Sequence, residues 1–376
     1  MHFRGLQNLG NTCYMNSFIQ ALHLCSDFRQ QVLDFEINRI AQQLQDYTQN
    51  KQLGNKPNVG LLLQLQQLFA FLSFSARESI NPIRFRMTLP DQFKNNYNQH
   101  DANEFGKILL DEIETNLKKL KIYENLIKDS FQGQIEWTIE CLNCNQIFKT
   151  QEDILDLSLS IPNTNSIKLE ELIEENCKPE IMDGDNQYQC DNCNSKTNAK
   201  RHFTIKKTAQ NFIITLNRFD FKYSGNTKIL TKVDIPNKIQ INQQSLFLQA
   251  VIVHSGAQIN YGHYFTLSRY TLLNDEQICR YPCIQTALQN LYVQQTPYIL
   301  FYKTDYPYQV AKIKQNFLKN IIDQDNQNYM NLKQQNQQQQ QQMIVQNQQT
   351  FNQKNDDDDD DYGQQGNQGV QNRIIF

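Results

Sequence analysis

The chain has 376 residues, 36 Lys or Arg against 39 Asp or Glu, and a net charge of −3; this length suits one large catalytic domain or two modest ones. Six basic and eight acidic residues lie from Val310 onward, which leaves the body near −1 and gives no electrostatic case for nucleic acid or an anionic membrane surface. Nine cysteines with no N-terminal apolar segment argue against a secreted disulfide framework, and no apolar run reaches bilayer length, so a reducing compartment, cytoplasmic or nuclear, is expected.

The first informative stretch runs from Gly5 to Leu22. Its glycines and asparagines read as a tight turn ahead of Cys13, after which Met15, Phe18, Ile19 and Leu22 repeat at helical spacing. Cys13 thus falls where a loop becomes a helix, and there free backbone N–H groups and the helix dipole favour a thiolate. A small buried core cysteine is the plainer alternative. Two further helices are expected, one on Ile37, Ile40 and Leu44 and one on Leu61, Leu65, Leu68 and Leu72, separated by the turn Asn55-Lys56-Pro57-Asn58.

Asp101 and Glu104 open the next helix, whose apolar face is Phe105, Ile108, Leu109 and Ile113. Three residues apart, the two acids project from one side of the first turn. Acidic residues in a first turn stabilise a helix against its own dipole.

Beyond Ser130 the period changes to two. Ile135, Trp137 and Ile139 alternate with polar residues, as do Leu155, Leu157, Leu159 and Ile161. Between and beyond them lie Cys141-Leu142-Asn143-Cys144 and Cys190-Asp191-Asn192-Cys193. Two such knuckles supply four sulfurs to a closed tetrahedral site, which predicts a structural zinc; a redox pair and plain core cysteines are the alternatives. Cys25, Cys177, Cys279 and Cys283 show no such pattern. Buried strands are expected at Phe212–Leu216, Leu248–His254, His263–Leu267 and Tyr298–Tyr302. A thiol nucleophile needs a base, and of six histidines His254 and His263 lie on strands; His254 reads as a structural histidine, whereas Gly262 beside His263 would let a substrate approach closely.

The string from Gly5 to Leu22 resembles the cysteine box of the ubiquitin-specific proteases, papain-like deubiquitinases. Tyr97–Phe105 resembles that family's acidic box and Gly262-His263-Tyr264 its histidine box. The likeness covers Gly5 to about Lys303 and implies an α+β catalytic domain of thumb, palm and zinc-ribbon fingers. It makes Cys13 the nucleophile, His263 the base and Asn8 the oxyanion donor. It also implies that Asp101, Glu104, Gly262 and Tyr264 bind the ubiquitin tail, and that Cys141, Cys144, Cys190 and Cys193 hold Zn2+ in the fingers. The segment Tyr270–Glu276 resembles the one that supplies the residue orienting the histidine, with Tyr270 or Thr271 in place of Trp and Leu273 in place of Phe. Asn274 aligns best there, and Asp275 is the neighbour that could substitute.

The implied reaction is hydrolysis of the peptide or isopeptide bond at the C-terminal glycine of ubiquitin. Partners are ubiquitin and its conjugates and, from the stretch Phe131–Leu159, a β-propeller activator. The altered orienting segment leaves a catalytically impaired ubiquitin-binding module as one alternative; a zinc-ribbon interaction protein without enzymatic function is another. The expected organisation is a catalytic domain over 1–305, with the thumb over about 1–128 and the fingers over about 131–210, and a Gln/Asn-rich acidic tail over 306–376. That tail is expected to lack order, with one helix allowed at Ala311–Ile322.

Overall fold

The computed structural model describes residues 3–36, 59–94, 98–120, 125–220, 227–258, 261–304 and 310–359. The helix expected on Ile37, Ile40 and Leu44 and the turn at Asn55–Asn58 lie outside them. The chain divides into two compact units, Met1–Ile322 and Asp323–Phe376.

In the first unit, helix α1 (Cys13–Leu24) is buried at every position, its polar residues Asn16, Ser17, Gln20 and His23 included. It is surrounded by α2 (Ser26–Asp34), α3 (Val59–Phe74) and α4 (Ala102–Leu120). Leu61, Leu65, Leu68 and Leu72 of α3 are all buried, as their spacing predicts. Phe18 stands edge-on to Phe105 of α4 on one side and to Phe301 of the sheet on the other, so α1 is wedged between the helices and the sheet.

After Phe131 the chain turns to strands: β1 (Gly133–Cys141), β2 (Ile147–Ile154), β3 (Asp156–Ser160), β4 (Glu180–Met182), β5 (Ala199–Lys207) and β6 (Asn211–Asn217). There follow β7 (Gln244–Gln258), β8 (Tyr261–Ser268), β9 (Thr271–Asn274), β10 (Gln277–Arg280) and β11 (Gln295–Lys303). A four-stranded sheet runs in the order β2-β1-β5-β4, with Cys141 ending β1 and Cys144 in the turn to β2, while Cys190 and Cys193 lie on a separate hairpin of Tyr188–Cys190 and Ser195–Thr197. The large sheet runs β10-β9-β8-β7-β11-β6-β3, with Lys238–Ile241 added beside β7. One face packs on α1, where Ile213, Ile252, Tyr264 and Phe301 join the helical core. The other face builds a second core from Leu157, Leu216, Val251 and Leu300 among others. This is an α+β architecture with helices and sheets segregated along the chain.

The first unit continues past the boundary expected at 305. Ala311, Leu318 and Ile322 are buried in the helical core, Lys314 pairs with Asp34 at 2.7 Å, and Gln30 and Lys312 exchange two hydrogen bonds. The tail also departs from its expected lack of order, since a helix covers Asn316–Asp359, the glutamine run included. Apolar residues at 317, 318 and 322 give its first turns a buried side, and glutamine is a good enough helix former to continue from an established nucleus.

Candidate active site

Cys13 is the first residue of α1 and is buried. The turn ahead of it is built on Asn8, whose side-chain oxygen accepts from the backbone N–H of Gly10 (3.0 Å) and Thr12 (3.2 Å). Gly10 and Asn11 take positive φ, 87° and 50°, the left-handed conformations for which Gly and Asn are suited. The residues that make the turn thereby deliver Cys13 to the helix start.

His263 lies on β8, where it pairs with Ser255 of β7, and Cys13 is the neighbour that acts most on its ring. Nε2 meets Asn274 Oδ1 at 2.5 Å, which leaves Nδ1 to exchange a proton with sulfur. Cys13 is the main cause that raises His263 to about 9; burial opposes it, and Asn274 and the Asp275 charge add to it. The imidazolium is therefore the resting form at neutral pH. Asn274 closes β9, which Thr266 and Leu267 of β8 pair with Leu273 and Leu272; the short connection from β8 thus brings it back to the ring.

Asp275 stands at the same place in another role. It takes a positive φ of 48°, and its Oδ2 lies 4.0 Å from His263 Nε2. Oδ2 accepts from Asn8 at 2.8 Å and Oδ1 from Asn16 at 2.7 Å. Its carbonyl accepts from the Leu6 N–H at 2.8 Å. Asn8 is exposed, and one N–H of its amide is used by Asp275, so the second is left for an oxygen in the cleft.

The acidic pair separates. Asp101 Oδ1 caps α4 through the N–H groups of Asn103 (2.8 Å) and Glu104 (3.0 Å), while Oδ2 accepts from Tyr298 (2.7 Å) and Tyr264 (3.2 Å). Four protein donors fill a carboxylate's ordinary capacity. Glu104 is exposed. Tyr264, expected to touch substrate, is buried instead, with its hydroxyl on Asp101. Strand alternation explains this correction: His263 faces the cleft, so its neighbour faces the core.

The sequence reading missed Gln99 altogether. Its amide donates to the Gly262 carbonyl at 2.9 Å and accepts from the Gly262 N–H at 3.0 Å, holding the peptide ahead of His263 from both sides. Gly262 itself answers a close approach, since a Cβ there would lie 2.3 Å from His254 Nε2. Asn16 and Tyr298 were also missed. Gln99 and Asn16 stand inside the quoted boxes, but their partners are remote in sequence.

The four paired cysteines converge, with all sulfurs within 4.8 Å of one another. The pairs Cys141/Cys193 and Cys144/Cys190 each stand at 3.8 Å. Zinc–sulfur bonds of about 2.3 Å give a tetrahedron with edges of about 3.8 Å, so the donor set fits such an ion. Each knuckle closes on an asparagine of positive φ, Asn145 (58°) and Asn194 (51°). This group could hold a metal. Among the described residues, no helix is long and apolar enough to cross a membrane.

A thiol at a helix start, beside an imidazole that an amide oxygen holds, is an arrangement able to serve nucleophilic thiol chemistry. The chain belongs to the ubiquitin carboxyl-terminal hydrolase family, whose sequence model matches residues 4–302. It is similar to ubiquitin carboxyl-terminal hydrolase 46 of Caenorhabditis elegans, with 28% identity over 74% of this chain and 79% of the relative. It is similar also to ubiquitin carboxyl-terminal hydrolase 12 of Salmo salar, with 28% identity over 81% of this chain and 90% of the relative. The chain covers 34% of a third relative, ubiquitin carboxyl-terminal hydrolase 48 of Danio rerio, at 28% identity. It is thus a cysteine-type ubiquitin hydrolase, which sets aside the zinc-ribbon protein without enzymatic function.

Proposed function

We propose that the chain cleaves the peptide or isopeptide bond at the C-terminal glycine of ubiquitin, with Cys13 as nucleophile, His263 as acid and base, and Asn274 orienting the imidazole. The observation that carries this reading is the hydrogen bond between His263 and Asn274, with Cys13, at the start of α1, the group that most raises the imidazole. The Cys13 sulfur attacks the glycine carbonyl and forms a thioester as the C–N bond breaks. The departing amine takes the proton held by His263. Water, deprotonated by the same imidazole, then attacks the thioester carbonyl, the C–S bond breaks, and the sulfur leaves as thiolate beside the recharged imidazolium. The free N–H of Asn8 faces the tetrahedral oxygen, a contact worth about 3 kcal/mol in comparable sites.

The exposed Glu104 pairs with a basic residue of the ubiquitin tail, Asp101 holds the helix start and the tyrosines behind it, and the Gly262 backbone lies beside the tail next to His263. The four-cysteine group binds Zn2+ as a closed structural site, with which its geometry agrees. The first unit, 1–305 with the anchored segment to Ile322, acts as the catalytic domain, and the acidic tail beyond serves as an appendage. Nine free cysteines suit a cytoplasmic or nuclear setting. A β-propeller activator completes the proposal; the exposed strand β2, at the edge of its sheet, offers a docking edge.

Hydrolysis of a fluorogenic ubiquitin substrate by the full chain and by Cys13→Ser tests the reading. Turnover confined to the wild type supports it. Turnover retained in Cys13→Ser removes the nucleophile, and ubiquitin binding without turnover in the wild type returns the impaired binding module.

A further inference from the structure

Lys228 is buried, with 6% of its surface exposed. Its ammonium donates to the carbonyls of His254 (2.9 Å), Gly256 (2.9 Å) and Gln294 (2.8 Å). Among the described residues no carboxylate pairs with it. A buried cation without a counter-ion is costly unless all its donors are met, and three carbonyls meet three N–H bonds one for one.

The place of these carbonyls gives the arrangement its meaning. His254 and Gly256 flank Ser255, the residue of β7 opposite His263. Directly after Ser255 the β7–β8 register slips, and Gly256 takes a φ of 146°. Gln294 leads into β11, where Gln295 pairs with the same Ser255, and the Gly256 N–H donates to the Gln294 carbonyl at 3.3 Å. The His254 ring, tilted against Tyr264 at 4.8 Å between centroids, lies against Gly262. Lys228 thus ties together the backbone on which the peptide ahead of His263 rests.

We propose that Lys228 is a positioning residue for the hydrolysis, its ammonium holding the β7 bulge and the start of β11 in the arrangement that aims His263 at Cys13. This rests on the reading of His263 as the base. Burial, with the nearby Arg218 charge, pushes Lys228 down to about 7. The other titratable groups around it are His254, which burial, Lys228 and His263 hold near 3, and His263 itself. A neutral amine has two N–H bonds for three carbonyls, so the support weakens as pH rises through neutrality.

The test compares full-length wild type, Lys228→Met and Lys228→Arg. Folding is followed by circular dichroism, kcat and KM by a fluorogenic ubiquitin substrate, and Cys13 alkylation by iodoacetamide from about pH 5 to about pH 10. Lys228→Met is expected to fold, to lose roughly ten- to a hundredfold in kcat with little change in KM, and to shift the alkylation pH profile. Lys228→Arg, charged at every pH, is expected to recover kcat and to gain on the wild type as pH rises. A folded Lys228→Met with wild-type kcat and an unmoved alkylation profile overturns the proposal. So does failure of both Lys228→Met and the polar variant Lys228→Gln to fold, because the lysine would then serve the fold at large. If the wild type does not hydrolyse ubiquitin while Lys228→Met still shifts the alkylation profile, the assigned function fails and the positioning role stands.

Discussion

Asn8 and Asp275, 267 positions apart, are joined by a 2.8 Å hydrogen bond from the Asn8 amide to the Asp275 carboxylate. The turn that delivers Cys13 is thereby fastened to the segment that orients His263. Asp275 secures that turn further through Asn16 and the Leu6 N–H. The sequence ranks Asn274 first and treats Asp275 as its substitute; in the structure the two residues hold different halves of the site.

Both alanine variants are therefore expected to lower kcat, and for different reasons. Asn274→Ala frees the imidazole. Asp275→Ala releases Asn8 and costs about 100-fold or more, the usual effect of a lost oxyanion donor. The discriminating variant is Asn8→Ala made in each background: it should add little to Asp275→Ala and much to Asn274→Ala. Equal added losses in the two backgrounds would break the link between Asn8 and Asp275.

The pH dependence follows from His263. Because its folded value is raised to about 9, chiefly by the neighbouring Cys13, the charged ring contributes stability that is fully present below the ordinary histidine value near 6.5. That contribution fades as pH rises through about 9. The melting-temperature difference between wild type and Cys13→Ala should accordingly shrink towards the alkaline end, and kcat/KM should fall there with the imidazolium. Histidine NMR should show His263 titrating lower in Cys13→Ala. An unchanged titration in that variant would mean that the thiol does not support the charge.

Gly262→Ala places a Cβ 2.3 Å from His254 Nε2 and 2.7 Å from the Ser255 carbonyl. The backbone carbonyl cannot swing aside, so β8 must shift; a cost of about 1–3 kcal/mol in stability and a loss of turnover are expected. Chemical denaturation together with steady-state kinetics checks both, and a variant as stable and active as the wild type would show that the strand has room.

Purified chain should carry one zinc per molecule by elemental analysis, released by chelation with a fall in melting temperature, because closed thiolate sites contribute directly to folding. Cys141→Ala with Cys190→Ala should abolish the metal and lower folding yield. Active, fully folded protein without metal would contradict the structural role.

The α+β architecture was legible in the sequence because helical and strand periods occupy separate stretches, as Leu61–Leu72 and Ile135–Ile161 illustrate. Cys13 and the paired cysteines were legible because their chemistry depends on spacing within a few residues. Gln99 was not, since its partner Gly262 is 163 positions away and nothing local distinguishes an amide that clamps a peptide from one in water. The core position of Tyr264 could have been inferred by setting His263 in the cleft and alternating from there. Past 305, the glutamine-rich composition masked the few apolar residues that anchor 310–322 to the helices.

The most direct measurement is intact-mass and peptide analysis of the full chain treated with ubiquitin bearing a C-terminal electrophile. One ubiquitin adduct located on Cys13, absent from Cys13→Ser and strongly reduced in His263→Ala, is the expected result. Failure to form an adduct, or an adduct on the exposed Cys279 in place of Cys13, would contradict the assignment of Cys13 as the nucleophile that receives ubiquitin.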